Sequence, residues 1–183
     1  RKSVWIHAVS AGELLTAEPL IKKLKEKFPQ IPLFLTTTTE AGHVLASERL
    51  PEIVHTFWPL DFSFVVKPLL SSVRPKAVVL VELELWPNFL LAAKRFGIPV
   101  VVVNGRITER TAYLWRLAKP LAKFLFNLVD HFAVQNNLYA QRLMSLGIGA
   151  KKISVCGNLK FDVPRNESIA PAQLRSRFRE KSE

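Results

Sequence analysis

The chain has 183 residues, 49% of them hydrophobic, enough for one domain with a sizeable core and too apolar for a disordered chain. Its formal charge of +11 calls for an anionic partner, whether nucleic acid, membrane surface or phosphorylated substrate, without choosing among them. The single cysteine, Cys156, excludes an internal disulfide framework and fits a reducing compartment, and no apolar run approaches the roughly 20 residues of a membrane-spanning helix.

In chain order, strand-like runs are expected at 4–9, 33–38, 54–58, 77–81, 100–104, 131–135 and 153–156. Helical patterns alternate with them at 13–28, 40–49, 62–72, 88–96, 109–129 and 138–146. That alternation predicts an α/β fold, a Rossmann-like doubly wound parallel sheet covered on both faces. Pro29 and Pro99 follow helices, and Gly97 and Gly147 stand where left-handed caps are expected. The opening Arg1-Lys2-Ser3 carries no leader pattern, as in a trimmed piece. Residues 1–162 read as one domain, and 163–183, which begin Val163-Pro164-Arg165-Asn166 and turn highly charged, as a linker.

Two strand-to-helix turns carry carboxylates, and such turns are where open α/β sheets keep their sites. In Ser10-Ala11-Gly12-Glu13, Gly12 admits a ligand close to the backbone while Glu13 accepts a proton from a bound hydroxyl. The same spacing also fits a capping box, in which Ser10 and Glu13 satisfy helix N–H groups, and spacing cannot decide between the two. Downstream, Glu82 and Glu84 sit two apart at the end of an apolar run, so one of them faces a polar cleft. Alternatively, Glu82 pairs with an arginine or caps the helix that starts at Pro87. In Asn104-Gly105-Arg106, the Arg106 guanidinium suits a phosphate or carboxylate, with a surface ion pair as the competing role. Thr36 to Thr39 could offer hydroxyls to a sugar, or serve simply as strand material.

Within 109–129, Leu114, Leu117, Ala118, Leu121, Leu125 and Leu128 form one stripe expected to face the core. Trp115, Arg116, Lys119, Lys123 and Phe126 lie off it, a basic and aromatic mixture suited to an anionic membrane surface or to a largely buried helix with snorkelling lysines. Pro120 is expected to kink or divide the helix. His7, His43, His55 and His131 have no metal-ligand spacing and read as structural.

Four motifs together, His7-Ala8-Val9-Ser10-Ala11-Gly12-Glu13, Val81-Glu82-Leu83-Glu84-Leu85-Trp86-Pro87-Asn88, Asn104-Gly105-Arg106 and Cys156-Gly157-Asn158-Leu159-Lys160-Phe161-Asp162, resemble the 3-deoxy-D-manno-octulosonic acid (Kdo) transferases of lipid A glycosylation. The resemblance runs over almost the whole chain in order and spacing. It implies the N-terminal, acceptor-binding half of a GT-B glycosyltransferase, expected to be inactive alone, with CMP-Kdo held mainly by a C-terminal domain. It further implies a lipid A precursor as acceptor, no metal and no cofactor beyond the CMP-Kdo donor, and work at the cytoplasmic face of the bacterial inner membrane. Carried over by position, Glu13 is the general base of an inverting transfer, Glu82 a second essential carboxylate, and Ser10, Gly12, Glu84, Asn104 and Arg106 substrate contacts. Two other readings remain at this point. One is a GT-B transferase with a soluble acceptor. The other is a basic nucleic-acid-binding module, for which the aromatic platform and basic stripe are missing.

Overall fold

The computed structural model describes residues 3–162. The expected linker at 163–183 lies outside them. Seven strands, β1 (Val4–His7), β2 (Leu33–Thr37), β3 (Val54–Phe57), β4 (Ala77–Val81), β5 (Val100–Gly105), β6 (His131–Val134) and β7 (Ile153–Val155), pair in the order β3-β2-β1-β4-β5-β6-β7. Every pair is parallel, as the alternation of elements predicts.

The crossovers put the helices on two faces, each over its own core. Stepping outward from β1 through β2 to β3, α1 (Ala11–Lys27) and α2 (Glu40–Arg49) cover one face. Their core holds Ile6, Leu14, Ile21, Leu35 and Leu45. The chain then returns through α3 (Ser63–Val73) to β4 and runs on to β7 through α4 (Pro87–Arg95), α5 (Glu109–Leu117), α6 (Lys119–Asn127) and α7 (Asn137–Ser145). These cover the second face over Trp5, Val78, Leu80, Phe89, Val102, Phe126 and Phe132. Neighbours such as Trp5 and Ile6 enter opposite cores, the period-2 alternation of a strand buried on both sides. The reversal makes the junction of β1 and β4 the switch point, where open sheets leave a crevice at the carboxyl ends of the strands.

Gly97 and Gly147 take the left-handed backbone of helix ends, with φ of 65° and 92°. The expected single helix at 109–129 is two, divided at Ala118 just before Pro120. Its orientation differs from expectation. Ala112, Ala122, Leu125, Phe126 and Val129 are buried, and Trp115 packs edge-on against Phe126 at 5.4 Å. Leu114, Leu117 and Leu121 face outward with Tyr113 and Phe124. Both sides of the segment are apolar, so periodicity alone does not choose. Small Ala112 and Ala122 let the aromatic side close on the sheet, and the leucines are left outside. Phe126 is therefore a core residue, not a membrane contact, and Trp115 is half-buried against the core, while Arg116 is bound to Glu109 at 2.7 Å. Lys119 and Lys123 remain exposed.

Candidate active site

Helix α1 starts two residues earlier than expected, because Ser10 is its N-cap. Glu13 thus occupies the third helical position, and Ser10 Oγ accepts from the Glu13 N–H at 3.4 Å. The Glu13 carboxylate reaches back to the end of β1, where Oε2 accepts from the Val9 N–H at 2.9 Å. Oε1 has only a long contact from the Ser10 hydroxyl, 3.4 Å. One oxygen ties down the turn, through the Val9 N–H rather than the N–H of the cap residue Ser10, and the other is left weakly engaged. Burial pushes the Glu13 carboxyl up to about 7; the Val9 N–H opposes this, and Glu82 and Glu84 add to it. A carboxylate with that value is half-ionised near neutrality, as a general base requires.

Gly12 has an ordinary helical backbone, and a Cβ there would meet nothing nearer than Ser10 Oγ at 3.9 Å. The protein itself does not need a glycine at this position. The space a side chain would fill lies outside, above the turn. Gly42 is different: a Cβ on it would approach Thr37 Cβ to 3.2 Å, so its absence lets α2 pack beside the start of α1.

Strand β4 lies beside β1, which brings Glu82 and Glu84 to the same edge as Glu13. Glu82 continues the ladder, its N–H donating to Val103 O at 2.9 Å, but its φ of 61° is left-handed. That conformation costs a non-glycine residue about 1 kcal/mol, and such strain collects at functional sites. Burial raises the Glu84 carboxyl, with the neighbouring Glu82 charge adding to it. None of the three carboxylates has a cation in ion-pair contact among the described residues. Neither alternative role of Glu82 is realised. Helix α4 is instead capped from a distance by Asp61, whose Oδ2 and Oδ1 accept from the Asn88 and Phe89 N–H groups at 3.0 and 2.8 Å.

Arg106 is exposed just past β5, with no carboxylate bonded to it among the described residues. Asn104, expected among the substrate contacts, is only 3% exposed. Its Oδ1 accepts from the Leu159 N–H at 3.2 Å and its backbone O from Gln135 Nε2 at 3.1 Å. It braces the returning chain, and its left-handed φ of 55° suits asparagine. Thr36 and Thr37 are likewise buried, which withdraws them from a sugar.

Beneath this edge lies an aromatic group around His7, which reads as structural in the sequence and whose neighbours Trp58 and Trp86 the local spacing does not reveal. His7 is fully buried and stacks on Trp58 at 3.9 Å, with Trp86 beyond, 5.8 Å from Trp58. Its Nδ1 faces Thr36 O at 3.1 Å, a pure acceptor, so Nδ1 carries the proton and the ring is neutral. Burial lowers the imidazole to about 4, against the opposing pull of the Thr36 carbonyl. His7 Nε2 and both indole N–H groups are buried without partners among the described residues. The available signal was the repeated pair Trp58-Pro59 and Trp86-Pro87, each directly following or near a strand end.

The family described as 3-deoxy-D-manno-octulosonic-acid transferase (kdotransferase) matches residues 1–163. Among similar proteins, the 3-deoxy-D-manno-octulosonic acid transferase of Chlamydia pneumoniae is 38% identical over 168 residues, 91% of this chain and 38% of that protein. The transferase of the same name from Haemophilus influenzae is 30% identical over 173 residues, covering 92% and 40%. The chain thus spans about two fifths of the length of these relatives. Of solved structures, a UDP-N-acetylglucosamine 2-epimerase superposes with a TM-score of 0.65 at 18% identity, covering 93% of this chain and 53% of that one. MurG of Acinetobacter baumannii superposes with a TM-score of 0.53 at 15% identity, covering 76% and 42%. These likenesses show a GT-B-type Rossmann-like fold and no more. On its sequence, the chain belongs to the 3-deoxy-D-manno-octulosonic acid transferase family, of which it forms the N-terminal domain.

Proposed function

We propose that this domain is the acceptor-binding half of an inverting glycosyltransferase that moves Kdo from CMP-Kdo to a lipid A precursor at the cytoplasmic face of the bacterial inner membrane. The observation that carries the reading is Glu13, a carboxyl held near neutral pKa at a turn whose outer space is kept open by Gly12. Its Oε2, anchored by the Val9 N–H, orients the group, and Oε1 takes the proton from the acceptor hydroxyl. The hydroxyl oxygen forms a bond to the anomeric carbon of Kdo as the bond from that carbon to the CMP phosphate oxygen breaks, and CMP leaves with the electron pair. Burial keeps the Glu13 proton affinity high, with Glu82 and Glu84 adding to it, and Ser10 and exposed Arg106 contact the sugar phosphate or the donor carboxylate.

Membrane contact falls to the outer side of α5 and α6. Tyr113, Leu114, Leu117, Leu121 and Phe124 are each at least half exposed there, flanked by Arg110, Lys119 and Lys123. Such a face suits an anionic lipid layer. Among the described residues no helix is long and apolar enough to cross a membrane.

The test is transfer from CMP-Kdo to a lipid A precursor by the full-length protein carrying Glu13→Gln or Glu13→Ala. Glutamine keeps an acceptor for the Val9 N–H but cannot take a proton, so transfer is expected to fall about 10²- to 10⁴-fold with folding intact. Alanine loses the cap as well, at a cost of about 1 kcal/mol. Near-normal transfer by Glu13→Gln would remove the base role. Residues 1–183 alone are expected to give no detectable transfer.

A further inference from the structure

We propose that the groove between α3 and α4 is a binding site for an anionic phospholipid, separate from the carboxylate edge and from the outer side of α5 and α6. The two helices lie side by side on one face of the sheet, joined at their starts where the Ser63 hydroxyl donates to Asn88 Oδ1 at 3.1 Å. Two depressions follow along them, of about 430 and 350 Å³. Together they extend the length of α3, whose 11 residues span about 16 Å.

The lining has two chemistries. Lys67, Lys94 and Arg95 border the upper depression and Arg74 the lower, and no carboxylate lines either one. Lys94 shares a loose contact with Asp130 at 3.9 Å; Lys67, Arg74 and Arg95 have no ion pair among the described residues. Leu70, Ala92 and Ile98 supply an apolar floor, with Leu91 and Phe96 on the rim, both more than two fifths exposed. On either side of Ser63 in the chain, which lines the upper depression, the rings of Phe62 and Phe64 lie nearly parallel with centroids 5.5 Å apart and stand in solvent, Phe64 at 77% exposure. Asp61 holds the upper depression rigid, since its carboxylate caps α4.

Unneutralised cations call for phosphate, and an aliphatic floor with a protruding aromatic pair calls for hydrocarbon. A free phosphate or a nucleic acid would satisfy the cations and leave the apolar part in water; a phospholipid satisfies both. The upper depression is tied through Asn88 to the segment that carries Glu82 and Glu84, so a lipid seated there holds the carboxylate edge against the bilayer surface. The inference does not depend on sugar chemistry, because Glu13 takes no part in it.

The experiment is flotation of the full-length protein with phosphatidylcholine vesicles, with or without phosphatidylglycerol, over a salt series. Wild type is expected to prefer the anionic vesicles. K67S/K94S/R95S is expected to lose that preference at least tenfold, and F62S/F64S and Ser71→Trp, which fills the lower depression without changing charge, to bind both vesicle types more weakly. Leu117→Ser/Leu121→Ser on α5 and α6 is expected to lower total binding and keep the anionic preference. Melting curves check folding, and Lys67→Gln, one exposed substitution, replaces the triple variant if that melts early. Retained preference in the cation variants, unchanged binding by both F62S/F64S and Ser71→Trp, or release from vesicles by inorganic phosphate or a DNA duplex beyond that by chloride of equal ionic strength would each overturn the proposal. A failure of the proposed sugar transfer would appear instead in the Glu13 assay, which these variants do not address.

Discussion

Two of the carboxylates on helix α1 are treated in opposite ways. Glu18, 5% exposed, receives two bonds from Arg49, both at 3.0 Å, and a third from Lys22 at 3.0 Å. Glu13, five residues earlier, is half-buried beside two further carboxylates and has no cation in ion-pair contact among the described residues. A buried charge is costly unless it is paired, and at Glu18 the pairing is complete. At Glu13 the electrostatic cost is retained and appears as a raised proton affinity. The first arrangement serves the packing of α2 on α1; the second suits the proton transfer proposed for Glu13.

Several changes would break or sharpen that contrast. The largest separates activity from stability: Glu13→Gln is expected to abolish most transfer, whereas Glu18→Gln, in folded protein, is expected to leave it near normal. Next, Arg49→Met is expected to destabilise the domain by up to about 3 kcal/mol, since it leaves buried Glu18 with Lys22 as its one remaining cation in ion-pair contact among the described residues, and chemical denaturation would measure this. A smaller effect is expected at Gly12. Gly12→Ala fills only outside space and improves helix propensity, so stability rises by up to about 1 kcal/mol while transfer falls. If transfer is unaffected, no ligand approaches that turn.

The contrast also predicts a dependence on pH. The folded Glu13 carboxyl binds its proton up to about 7, above the ordinary 4.5, so the folded state holds more protons in that interval. Its contribution to stability is therefore complete at low pH and is lost as pH rises from 4.5 to 7. Transfer follows the opposite course and rises with ionisation through about pH 7. Glu13→Gln is expected to flatten that part of the melting-temperature profile, and a slope identical to wild type would assign it elsewhere.

The sheet was readable from sequence because its strands are buried on both faces and stand out as apolar runs such as Ala77 to Val81, bounded by turn residues. The positions of Glu13 and Glu82 followed from that, since a parallel sheet puts every strand-to-helix turn on one edge. The orientation of α5 and α6 did not follow. Both sides of 109–129 are apolar, and only contact with the sheet shows that Ala112 and Ala122 sit at the close approach. Asp61 is separated by 27 residues from the helix it caps, so no local pattern marks it. The resemblance implies a substrate contact at Asn104, and its burial at 3% exposure is not legible in the motif. The left-handed backbone it adopts, and the returning chain it binds at Leu159, are tertiary facts.

The imidazole of His7 lies 3.9 Å from the indole of Trp58, with little tilt between the rings. A protonated imidazole draws the excited state of a stacked indole down without emission, so the pair is a built-in optical reporter. Tryptophan emission should dim as acid reaches the ring near pH 4, and His7→Phe should abolish that titration. The floor under the carboxylate edge can thus be followed by its own light, with no dye attached.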